Sequence, residues 1–233
     1  MTTENPAKSL TDKQQKQSIE EFDIGRQRSN RELECARIIV DFLECAFQKL
    51  ALRYCKFEHK VLDSFCGVMF YRGAHPQIAK YMNDMRSTLR YWISHQHIMS
   101  FTVVIKDVKN EEEVAEVTIG FYSGLGKNWE NLSIRSDVTE RVKDRCICLF
   151  EKLDELPTRE ELLNNVAGRE ISAQIRCKLL PEAPHPNNVS GIVWDHDLNS
   201  LRFPTKHILY SAPRIDSEFV EFSLQCNYRT ESV

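Results

Sequence analysis

Residues 171–179 read Ile-Ser-Ala-Gln-Ile-Arg-Cys-Lys-Leu, an unbroken alternation of apolar and polar side chains. Successive side chains of a strand point to opposite faces, so a period of two describes a strand with one face on a core and one polar face. Such a strand is not stable alone. It needs partner strands along its edges and a second layer over its apolar face. Val220, Phe222, Leu224, Cys226 and Tyr228 alternate with Glu221, Ser223, Gln225 and Asn227 in the same way. Residues 100–108 and 114–123 are rich in β-branched and aromatic side chains, and the charged stretch 109–113 between them predicts a hairpin.

The covering layer is also visible. Cys35, Ile38, Ile39, Phe42, Leu43, Ala46, Phe47 and Leu50 recur at three-and-four spacing, predicting a helix over 31–53 that opens at a Ser29/Glu32 capping box. His75-Pro76 starts a second helix over 76–95, with Ile78, Tyr81, Met82, Met85, Leu89, Trp92 and Ile93 as its stripe. Asp137 with Glu140 predicts another capping box, and Val138, Val142, Cys146, Leu149, Phe150 and Leu153 form a third helix stopped by Pro157. Between the first two helices, 56–61 and 67–71 are expected as short extended pieces. After Leu180 come Pro181, Pro184, Pro186, Pro204 and Pro213, interrupting apolar pieces at 192–194 and 207–210. Residues 1–28 are too poor in apolar side chains to offset the entropy of ordering and are expected to form a flexible tail. The expectation is one α+β domain over 29–230, three long helices on a mainly antiparallel sheet.

Charge and composition bound the function. Lys and Arg number 31 against 34 Asp and Glu, a formal charge of -3, so no global positive field is available to neutralise phosphates and direct nucleic-acid binding is not expected. No apolar run approaches the roughly 20 residues of a membrane span, and the polar N-terminus lacks the core of a signal peptide, so a nuclear or cytoplasmic chain is expected. For the same reason the sequons at Asn131 and Asn188 carry no weight. The eight cysteines include no C-x-x-C pair and are expected to be mostly buried reduced thiols.

Candidate chemistry is thin. Gly124-Leu-Gly126-Lys127 lacks the spacing of a phosphate loop, and His95-Gln-His97 supplies two imidazoles where tetrahedral zinc needs four ligands; both read as loops. His185, His196 and His207 lie in sequence near Asp195, Asp197 and Asp216, yet their spacing matches no hydrolytic mechanism, and Ser190-Gly191 lacks the flanking turn of a nucleophile elbow. The acidic runs at 111–113 and 160–161 read as a solvated turn and a solvated helix face. No catalytic residue, metal or cofactor is expected. Trp194 stands apart, an aromatic in the proline-rich segment. It fits a staple tacking that segment to the core and equally a contact on a bound peptide.

The order helix, short strands, helix, hairpin, helix, strand and long closing segment resembles the HORMA domain. Residues 34–47, ECARIIVDFLECAF, are similar to the family's first helix, and His75-Pro-Gln-Ile-Ala-Lys-Tyr81 to the opening of its second. Residues 100–117, with FTVVIKDV and EVAEV, resemble the central hairpin of the branch that serves as accessory subunit of DNA polymerase zeta, and Trp194 stands where that branch has a late tryptophan. The Tyr-Pro pair common after the family's first helix is missing. The resemblance implies an adaptor whose C-terminal segment, here about 181–228, crosses an extended partner peptide as a safety belt. The implied peptide belongs to the polymerase zeta catalytic subunit and packs on Tyr81 and Trp194. Arg145 matches an arginine of self-association, implying a HORMA–HORMA dimer. Ser223 and Gln225 stand where the branch carries a Gln and a Tyr used against an inserting polymerase in translesion synthesis. Two alternatives stay open: a HORMA adaptor of the spindle checkpoint, meiotic axis or autophagy, and a hydrolase built on the late His and Asp residues.

Overall fold

The computed structural model describes residues 30–74, 76–122, 137–163, 170–183, 192–195, 206–211, 215–216 and 221–229. The expected tail, Ser29, His75, Gly124–Lys127 and Ser190-Gly191 lie outside them. No described helix is long and apolar enough to cross a membrane.

Helix α1 (Asn30–Tyr54) is the centre of the molecule. Its Cys35, Ile39, Phe42, Leu43, Ala46 and Leu50 are fully buried, and even Glu32 and Gln48 are nearly so, because α1 packs on the sheet and is flanked by two further helices. These are α2 (Pro76–Ser94) and α3 (Val138–Lys152). Basic side chains of α1 fasten the end of α3. Lys49 Nζ donates to the Phe150 carbonyl at 3.2 Å and pairs with Asp154 at 2.8 Å, while Arg53 Nε and Tyr54 Oη donate to the Pro157 carbonyl at 3.1 and 3.0 Å. Cations and donors at a helix C-terminus satisfy carbonyls that have no partner within the helix.

One capping assignment from sequence changes, and one capping box was not foreseen. Asp137 precedes α3 but makes no side-chain cap; its carboxylate pairs with Arg141 at 2.8 Å, and Glu140 pairs with Lys143. The reciprocal box is instead at Thr158 and Glu161, where the Thr158 N–H donates to Glu161 Oε2 at 2.7 Å and the Glu161 N–H to Thr158 Oγ1 at 3.3 Å. This box opens the short helix α4 (Arg159–Leu163) and explains an acidic pair read as a solvated face.

The first extended pieces form a separate hairpin, β1 (Lys60–Phe65) with β2 (Val68–Gly73), so the strand expected at 56–61 begins four residues later. Cys66 and Gly67 have φ of 49° and 90°, the positive pair that a two-residue hairpin turn of the right twist requires. Cys66 is consequently exposed; Cys35, Cys146, Cys177 and Cys226 are buried, while Cys45, Cys55 and Cys148 are part-buried.

The main sheet runs β6-β5-β3-β4-β9-β7. Its strands are β3 (Ile98–Asp107), β4 (Glu113–Tyr122), β5 (Ile171–Leu179), β6 (Ile192–Asp195), β7 (Lys206–Ser211) and β9 (Glu221–Arg229), with β8 (Ile215–Asp216) also on β9. All pairings are antiparallel except β5 with β6. Phe101, Val103, Ile105, Val117, Ile119, Ile175, Cys177, Phe222 and Leu224 face the helices as the alternation predicts.

The opposite face carries a polar strip across four strands. Arg176 of β5 pairs with Glu113 and approaches Glu116 at 3.8 Å over the intervening β3, and Asn227 Nδ2 of β9 donates to Glu116 Oε1 at 3.0 Å. Thr102 and Thr118 share a hydroxyl hydrogen bond at 3.0 Å. A bulge between Ile105 and Lys106 brings Glu113 to the face of Glu116.

Candidate functional site

The outer edge of β5 gathers the two residues expected to touch a partner peptide. On its inner side β5 pairs with β3 from Ile171 to Leu179. On its outer side β6 pairs with Ile175–Lys178 alone, placing Trp194 opposite Cys177. A parallel neighbour requires a long connection, and β5 ends at Leu179 whereas β6 begins at Ile192.

Tyr81 reaches this edge from α2. Its hydroxyl accepts the Ile175 backbone N–H at 3.4 Å, and its ring packs on Phe47 with centroids 5.6 Å apart. Burial raises the phenol well above its ordinary range, so Tyr81 stays neutral. Tyr81 thus touches the backbone of the register position next but one to Trp194. The end of α2 is set by a Schellman turn: Gln96 has φ of 61°, His97 N donates to the Trp92 carbonyl at 2.8 Å and Gln96 N to that of Ile93 at 3.0 Å. His95 and His97 stack 5.6 Å apart in this connection, as expected of a helix-to-strand loop, and Leu180 N donates to the His97 carbonyl at 2.7 Å where β5 ends.

The remaining expected site residues lie elsewhere. Arg145 is exposed on α3. Ser223 and Gln225 sit on the polar face of β9, opposite Gly120 and Thr118. Ser223 is buried, and a Cβ added at Gly120 would lie 2.5 Å from its hydroxyl oxygen, so the serine fills the space glycine leaves. Asp195 lies on the β6 edge and His207 on β7, five strand positions away. At about 4.8 Å per strand that is about 24 Å, too far for a shared hydrolytic centre. Asp216 is on β8 beside β9, also remote from Asp195, and His185, His196 and Asp197 lie outside the described residues. Among the described residues no three His, Cys, Asp or Glu side chains converge as a metal site.

Sequence reasoning missed a basic cleft of about 600 Å³ between the end of α1, the chain leading into β1 and the start of α4. Its cations come from positions 53, 56 and 60 on one stretch and from 159 on another, far along the chain. The missing signal was the path of 54–60.

No family model matches the chain, and no curated protein matches it. Solved structures do. A chain of the mitotic checkpoint complex superposes with a TM-score of 0.56 at 15% identity, covering 84% of this chain and 98% of that one. C. elegans HTP-2 bound to HTP-3 closure motif 1 gives 0.54 at 10% identity, covering 83% and 85%. HTP-2 bound to the HIM-3 closure motif gives 0.52 at 10%, covering 83% and 89%. With helices on one face of a mainly antiparallel sheet and these neighbours along most of its length, the chain has the HORMA-type α+β fold.

Proposed function

We propose that this protein is a non-enzymatic nuclear adaptor that traps an extended peptide at the β5 edge beneath its C-terminal segment, 181–228. The observation that carries the reading is the edge itself. β5 is nine residues long, the four residues of β6 pair with only Ile175–Lys178 of its outer edge, and Tyr81 stands beside the paired part. An extended peptide adding to such an edge gains main-chain hydrogen bonds with little sequence demand, and side-chain contacts give choice. Between Asp195 and Lys206 the chain passes from one edge of the sheet to the other. About 24 Å of sheet is within the ~36–40 Å reach of those residues. A segment anchored at both edges slows release of what it crosses.

The partner we favour is a proline-containing segment of the DNA polymerase zeta catalytic subunit, with an inserting polymerase recruited through the β9 face in translesion synthesis and Arg145 in a HORMA–HORMA contact. The support is the resemblance of residues 34–47, 75–81 and 100–117 to that branch. A second reading, an adaptor for closure motifs of the checkpoint or meiotic kind, is favoured by the neighbours, since the HTP-2 structures hold such motifs.

Fluorescence anisotropy with labelled peptides decides. The polymerase-derived peptide is expected to bind and dissociate slowly, and to lose affinity with Tyr81→Ala, Trp194→Ala or truncation after Leu180. Preference for a closure-motif peptide removes the polymerase assignment and keeps the adaptor. Binding of neither peptide by a folded chain removes the adaptor.

A further inference from the structure

The basic cleft shares no residue with the β5 edge. It is lined by Leu52, Arg53, Cys55, Lys56, Phe57, Lys60, Thr158, Arg159 and Glu160, four cations against one carboxylate in a chain of net charge -3. The nearby carboxylates are engaged elsewhere. Asp154 pairs with Lys49, and Glu161 is folded back on the Thr158 N–H. Arg53 is pinned by the carbonyls of Leu156 and Pro157, which hold its guanidinium without neutralising it. Lys56, Lys60 and Arg159 make no ion pair among the described residues, and Arg159 Nε is buried without an acceptor. A buried donor left unmet is unfavourable, and an acceptor entering the cleft satisfies it. Phe57 is held in place by close packing against Gly73, giving the cleft an apolar wall beside its charges.

We propose that this cleft binds a phosphorylated side chain of a peptide, with Arg159, Lys56 and Lys60 around the phosphate and Phe57 and Leu52 against a neighbouring apolar residue. A doubly charged group with three acceptor oxygens matches several converging donors. The cleft holds one such group and its neighbours, whereas nucleic acid needs a basic track across successive phosphates, and Glu58, Asp154 and Glu155 lie close in sequence to the lining residues.

The test uses the full chain and three labelled probes: a short peptide with one phosphoserine between apolar residues, the same peptide unphosphorylated, and a single-stranded DNA oligonucleotide. Lys56→Gln, Lys60→Gln and Arg159→Gln are combined, with a melting curve showing that the variant folds. The phosphopeptide is expected to bind, more weakly as salt rises, and the triple variant to lose about tenfold or more in affinity. Equal binding of both peptides, unchanged phosphopeptide affinity in the folded variant, or tighter DNA binding through the same residues would overturn the proposal.

Discussion

Alanine at position 73 is the sharpest probe of how the β1–β2 hairpin is held. A Cβ there would lie 2.8 Å from Phe57 Cδ1 and 3.0 Å from Cε1 and Cγ, against an optimum of roughly 3.5–4.0 Å between carbons. Rotating the ring does not relieve the contact, because Cγ is at the root of the side chain. The ring has to translate, or β2 has to lift from α1. Overpacking of this kind costs about 1–3 kcal/mol, and replacing glycine returns about 0.4–1 kcal/mol through the unfolded chain. A net loss of about 1–2 kcal/mol lowers the melting temperature by about 2–8 °C for a chain of this size. Circular dichroism melts and urea midpoints should be measured for Gly73→Ala, Phe57→Ala and the pair. Relief of the clash predicts that the pair loses at least about 1 kcal/mol less than the sum of the singles. Wild-type stability of Gly73→Ala, or strict additivity, would refute the packing argument.

Other outcomes follow from the same geometry. Thr158→Ala should cost about 0.5–2 kcal/mol by breaking the capping box, while Asp137→Ala, which breaks the exposed pair with Arg141, should cost less than about 1 kcal/mol in urea titrations. Gly120→Ala should be destabilising alone and largely relieved by Ser223→Ala, because the atom in the way is the far end of a short side chain. Burial raises Cys35 to about 11 and Cys226 to about 12, from an ordinary 9.0. Their stability contribution is intact below pH 9, where the unfolded thiols are neutral, and is lost as pH rises towards 11–12. At pH 10 the two together should cost up to about 2–3 kcal/mol, and Cys35→Ala with Cys226→Ala should flatten the alkaline fall in urea midpoint.

Regular periodicity proved a sound guide wherever one face of an element meets the core. The stripe from Cys35 to Leu50 and the alternations at 171–179 and 221–228 correspond to α1, β5 and β9. Tyr81 and Trp194 were also brought to one edge. Local chemistry was less reliable where two partners compete for one side chain. Asp137 had the right spacing for a cap, but Arg141 holds its carboxylate; Thr158 and Glu161 had the same spacing and do cap. The hairpin after α1 was blurred because its strands present Val61, Leu62, Met69 and Tyr71 outward, so apolar character does not mark burial there. The polar strip from Arg176 to Asn227 depends on a bulge that no period reveals, and the cleft on side chains about a hundred residues apart.

The strand order also sets a schedule for synthesis. Strands β3, β4 and β5 are made before the strands that flank them on both sides, β6 and β9, and form the middle of the sheet. Until residues 192–229 emerge, the central three strands carry two unpaired edges, the condition in which nascent chains pair wrongly with one another. A protein built this way depends on the interval between making β5 and making β9, so slow decoding over 180–220 would favour aggregation even though no folded-state contact had changed.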